Sequence, residues 1–140
     1  MRAQTTILSL LLVLGSSVET APPQERTALE GTWLVTSLSL NGQVYSGGGT
    51  EIAITIAGNT YEQSVNGQVN ERGTITVDPS MIPMRIDFLI IEPAQTTTQL
   101  GIVEITGDTL KLHLNMPGAN GRPADFNPLA DHFLLIAKKK

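Results

Sequence analysis

The sequence predicts an all-β domain, an eight-stranded antiparallel up-and-down barrel, with a β-sandwich as the alternative. Three observations lead there. Apolar and polar residues alternate at period two in segment after segment, turn dipeptides separate those segments, and no stretch beyond the first twenty residues carries a helical stripe. The links are mostly too short for the crossovers that parallel pairs need, so the strands must be antiparallel. Closing the sheet on itself removes the exposed margins an open sheet would leave.

The first strand is expected over 32–40, ending at Asn41-Gly42, a strong hairpin signal. A loose loop at Gly47-Gly48-Gly49 precedes the second, where Ile52, Ile54 and Ile56 alternate with Glu51, Ala53 and Thr55. Gly58-Asn59 turns the chain into a third strand, 60–65, and Asn66-Gly67 into a fourth, 69–77. Asp78-Pro79 and Pro83 bracket a tight connection to a fifth, 84–91, with Ile86, Phe88 and Ile90 on one side and Pro93 closing it. A sixth strand covers 98–105, and Gly107-Asp108 leads into the seventh. There Leu110, Leu112, Leu114 and Met116 alternate with Lys111, His113 and Asn115. A longer loop, 117–131, carries Pro117, Pro123 and Pro128, and the last strand, 132–138, ends in three lysines.

The 140 residues leave room for one domain. Arg2, the apolar run 7–14 and the small residues Gly15-Ser16-Ser17 have the order of a secretory signal peptide, assigned to 1–21, with a linker over 22–28 and the barrel domain over 29–140. The run is too short to span a bilayer, which takes about 20 apolar residues. The expectation is therefore an exported chain, periplasmic or secreted, with no membrane span in its mature part. Removing 1–21 takes one basic and one acidic residue, so the net charge stays at −4. A mildly acidic surface argues against nucleic acid as a partner, since that needs a basic stripe. There is no cysteine to staple the fold, so its stability must come from a core.

The chemistry-bearing residues are sparse. Trp33 is expected to plug one end of the barrel, with stacking on a ligand as the alternative. The aliphatic faces would point inward, where an eight-stranded barrel is either filled or holds one small ligand. Trp33, Ile54, Phe88, Leu112 and Leu114 are the interior residues that such an apolar ligand would touch. His113 and His132 are the chain's two histidines and lack metal-ligand spacing, so no metal and no cofactor are expected and both are read as surface or barrel-end residues. Asp78 and Asp108 are expected to brace turns, and Arg122, held by Pro123, to tie the long loop to the barrel through a carboxylate. No nucleophile elbow, phosphate loop or metalloprotease helix is present, and no catalytic residue is assigned.

Several stretches also carry a likeness. Leu29-Glu30-Gly31-Thr32-Trp33 looks like the G-x-W opening of lipocalin-like barrels. Residues 73–79 with Pro83 and Ile86-Asp87, then 100–104 with 107–112, then Arg122-Pro123-Ala124-Asp125-Phe126, resemble in order a family of small secreted bacterial domains abundant in planctomycetes and of unknown function. Val103 stands where that family usually has an aromatic, and His113 where it often has cysteine. The resemblance implies a calycin-type barrel in which Gly31, Trp33, Asp78, Pro79, Gly101, Gly107, Asp108, Arg122, Pro123 and Phe126 are structural. It implies no activity, because fold does not fix function. The functional expectation is a non-enzymatic module that binds a small apolar ligand inside the barrel, with a filled structural or protein-interaction module as the alternative.

Overall fold

The computed structural model describes residues 28–45 and 49–140, so the segment expected to be a signal peptide and nearly all of the expected linker lie outside the described residues. Nine strands follow in chain order: β1 (Gly31–Leu40), β2 (Gln43–Val44), β3 (Ile52–Ala57), β4 (Thr60–Val65), β5 (Gln68–Asp78), β6 (Met84–Ile91), β7 (Thr96–Thr106), β8 (Thr109–Leu114) and β9 (Phe133–Lys139). From β3 to β9 each strand pairs antiparallel with the next, β1 pairs with β3, and β9 returns to β1. Eight strands thus close a sequentially ordered antiparallel barrel, and β2 hangs on the upper edge of β1. The sandwich alternative is excluded by that closure.

Period-two alternation sorts the side chains as the register requires. Trp33 faces Ile54, Ile56 faces Tyr61, Ile75 faces Phe88, Val103 faces Leu112, and Leu110 faces Ala137. All ten are buried, and they form one apolar cluster with Leu29, Ile86, Leu114 and Leu135. Each fully buried large side chain contributes about 1.5–3 kcal/mol relative to exposure. At the end bearing the chain's first and last described residues, here the lower end, Trp33 is wholly buried and its indole N–H donates to Leu29 O at 2.8 Å. Lys139 Nζ lies 5.2 Å from the indole centroid, covering the ring from outside. Trp33 is the lower plug.

Three turns show what fixes the corners. Asn41-Gly42 and Asn66-Gly67 both take positive φ, as tight hairpins between twisted strands demand. Between β5 and β6, Asp78 Oδ1 accepts from the Ser80 hydroxyl at 2.6 Å and from Ser80 N–H at 3.0 Å. Those bonds, the hydroxyl first, hold the Asp78 carboxyl below its ordinary value of 3.8. A depressed folded value means the contribution to stability is complete above the ordinary pKa and is lost as pH falls through the folded one. Asp78→Ala should therefore lower the urea midpoint at neutral pH, and the gap to the parent should close as pH falls below the ordinary carboxylate value.

The differences from the sequence reading have local causes. The seventh predicted strand was to run to Met116, but β8 stops at Leu114. Asn115 ends it by accepting from Met116 N with Oδ1 and donating with Nδ2 to Asn120 O and Gly121 O, which turns the chain outward. Residues 115–132 then strap the outer face of β6, β7 and β8. Beneath the strap lies His113, fully buried, its Nδ1 bonded to Asp125 O. Its expected place at the surface or barrel end is corrected: the strap covers the outer face that alternation assigned to solvent.

Candidate functional site

Above Trp33 the inner wall changes character. Leu38 and Leu40 on β1, Ile52 on β3, Val65 on β4 and Phe133 on β9 all face inward by register, and each is only half-buried. At the lower rim Val77, Met84 and Ile105 are also half-buried, but they ring the Leu29–Trp33 plug. The upper wall is also where the strands part. β1 pairs with β3 only over Gly31–Leu34, and its upper edge takes the short β2 instead.

A second parting lies between β5 and β6. Their ladder stops at Gly73↔Ile90, leaving the upper edge of β5 paired only with β4. In the gap is a concavity of about 490 Å3 lined by Val69, Asn70, Glu71, Arg72, Ile90, Ile91, Glu92 and Pro93. A register shift opposite Gln63/Ser64 reverses the parity of β5, so Glu71 stays inward opposite Gln63 while Val69 turns out and is 43% exposed. Tyr61 anchors Glu71: its hydroxyl donates to Glu71 Oε2 at 3.0 Å. Burial, then the Glu71 charge and this bond, push the phenol far above its usual range, so it remains a donor. Sequence reading missed this pair, because nothing in the alternation marks where a bulge resets it.

The five expected ligand contacts come together. Trp33, Ile54, Phe88, Leu112 and Leu114 belong to the single core cluster, between fully buried and 8% exposed. None of them lines the concavity described above. They form a floor beneath the upper wall rather than the wall itself.

The expected structural residues disperse over the fold. Gly31 takes φ +127° beside Lys139, Asp78 and Pro79 hold the β5–β6 corner, and Gly107 with Asp108 makes the β7–β8 turn. At Asp108 the group in use is the backbone carbonyl, which accepts from Lys139 N–H. Arg122 reaches across the outer wall. Its Nη1 donates to Ile86 O at 3.1 Å and Gly101 O at 2.9 Å, and Asp87 Oδ1 lies 2.6 Å away as counter-ion. The hydrogens of that nitrogen are directed at the two carbonyls, so the carboxylate acts through charge. Pro123 is buried beside it, and Phe126 lies under Lys111, whose Nζ is 5.2 Å from the ring centroid.

Gly101 is required there. A Cβ at this position would stand 2.6 Å from His113 O and 2.3 Å from Leu114 Cδ2. Arg122→Met should lower stability by about 2 kcal/mol, discounted for the partial exposure of the pair. Arg122→Lys should recover part of that loss, since the three contacts all belong to the one nitrogen Nη1 and an ammonium on a shorter stem carries three donors. Urea unfolding with an unchanged slope checks both variants.

Among the described residues, no three His, Asp or Glu side chains are grouped so as to hold a metal ion, and no helix is long and apolar enough to cross a membrane. Comparison with protein-family models, with curated proteins and with solved structures gives no match.

Proposed function

We propose that this chain is an exported, non-enzymatic binding protein that holds a small apolar or amphiphilic ligand in the upper part of its barrel, without a cofactor. The observation that carries the reading is the upper inner wall, where Leu38, Leu40, Ile52, Val65 and Phe133 remain half-buried above a packed floor. Apolar surface facing inward and still in reach of water is what a ligand of matching shape would cover. In this reading Ile54, Phe88 and Leu114 are the top of the floor on which the ligand rests, and Trp33 and Leu112 support them from below. The likeness to small secreted bacterial domains supports export and a calycin-type ancestry.

The experiment is native mass spectrometry of protein purified from its own host, paired with titration by N-phenyl-1-naphthylamine, a neutral apolar fluorophore. A co-purifying small molecule or a single saturable site is expected. Val65→Trp, which fills the wall, should weaken probe binding about tenfold or more. No bound species and no saturation would end the proposal.

A protein partner is the second reading, favoured by Ile82, which stands 98% exposed beside Met81 on the β5–β6 corner. Ile82→Asp should then abolish capture of that partner by cross-linking while leaving probe binding unchanged.

A further inference from the structure

We infer that the gap between the upper ends of β5 and β6 reads the head group of this ligand, and that the head group is a cation: a primary or quaternary ammonium carried on an apolar body. The inference rests on the binding reading above and adds the chemical class.

Continuing the β5–β6 register two steps beyond Gly73↔Ile90 would set Glu71 directly opposite Glu92. Like charges in opposed positions of an antiparallel pair are destabilising. The ladder ends before that pair would form, and the concavity of about 490 Å3 lies between the separated edges. Val69, Ile90, Ile91 and Pro93 make its apolar lining, and the two carboxylates supply its charge. Among the described residues that the ladders place inside the barrel above Trp33 the one charged side chain is Glu71, and Glu92 stands exposed at the rim one residue past the end of β6; none is cationic. Arg72 also borders the gap, but it pairs in register with Glu62 on the outer face, which puts its charge on the outer lip.

Glu71 is held rather than free. Tyr61 is 3% exposed, stacks edge-on against Phe88 at 4.8 Å, and donates to one carboxylate oxygen, leaving the other for a ligand. A group fixed before binding costs less entropy to use than one that must be ordered. An ammonium entering between Glu71 and Glu92 would offset their repulsion, while its apolar body reached Ile90 and the inner wall beyond. A bare metal cation would leave the aliphatic lining unused, and an anion would meet two like charges.

The test compares decyltrimethylammonium, decyl sulfate and decanol, each below its aggregation threshold, as displacers of N-phenyl-1-naphthylamine. The cationic chain is expected to bind about tenfold tighter than the sulfate or more, an advantage that falls as salt rises. Glu71→Gln with Glu92→Gln should reduce that preference to about threefold or less and leave decanol within about twofold. The glutamine can still accept from Tyr61, so an unchanged urea midpoint verifies the fold. Equal affinity for all three chains, a preference that survives in the double variant, or tighter binding of the sulfate would each overturn the head-group assignment while leaving the binding reading intact. Absence of displacement by every probe, with no fluorophore binding, would overturn the binding reading and this inference with it.

Discussion

Replacing Trp33 by alanine is expected to cost about 3–5 kcal/mol, the range for removing a fully buried aromatic. The loss has three parts. The indole is wholly buried and sits among the largest side chains of the core, so its removal empties the space between Ile54 and the lower rim. The bond from Nε1 to Leu29 O disappears, leaving a carbonyl of a 1% exposed residue without its donor. Lys139 loses the ring face it covers. A domain of this size commonly has a total of about 5–15 kcal/mol, so the variant should lie near the edge of folding. Thermal unfolding gives the check, at roughly 4–8 °C for each kcal/mol. Trp33→Phe should recover most of the packing without the hydrogen bond. A cost below about 1 kcal/mol for the alanine variant would mean that the lower end is not sealed by this side chain.

Gly73→Ala should cost about 3 kcal/mol, at the upper end of what one added methyl does in a packed site. The added Cβ would stand 1.8 Å from Leu89 O and 2.9 Å from Leu89 C, and both belong to backbone, so no rotamer change relieves the contact. It would also come within 3.1 Å of the Tyr61 ring. Tyr61 and Gly73 are register partners, and the bare glycine lets the ring lie across β5 and reach Glu71 two residues further on. Relief therefore demands that β5 and β6 separate where they still pair or that Tyr61 leave its place. The urea midpoint should fall, and the preference for a cationic probe should fall with it. A variant as stable as the parent would show that the two strands approach less closely than described.

Much of the barrel was legible because period-two alternation and turn chemistry act locally. Leu110, Leu112 and Leu114 face inward as their spacing requires, and Asn66-Gly67 turns with φ of 51° and 85°. Two residues, Gln43–Val44, are too few for alternation to register, so β2 went unread. What local pattern could not supply was any feature set by a distant segment. His113 lies on the outward parity of β8 and would be solvent-facing if the strap did not return over it. The Tyr61–Glu71 pair depends on a one-residue irregularity, and the five interior residues assigned to a ligand were legible as interior but not as floor. Whether an inward residue is packed or left open depends on how far neighbouring strands stay paired, which for β1 and β3 is four residues.

The seam between β1 and β9 has a kinetic consequence. Thr36 donates its hydroxyl to Ile136 O, a bond across 100 positions of chain, and Lys140 N–H reaches Thr32 O. The remaining ladders join strands that follow one another closely, so most of the meander can assemble as the chain lengthens. The seam and the β8–β9 ladder both wait for the final strand, and of the two the seam closes by far the longer loop. Loop-closure entropy makes such long-range pairing slow, placing the expected folding time in the millisecond-to-second range of β-rich domains. Until then both margins of the unfinished sheet remain bare, and that interval is when two copies are most able to trade their terminal strands.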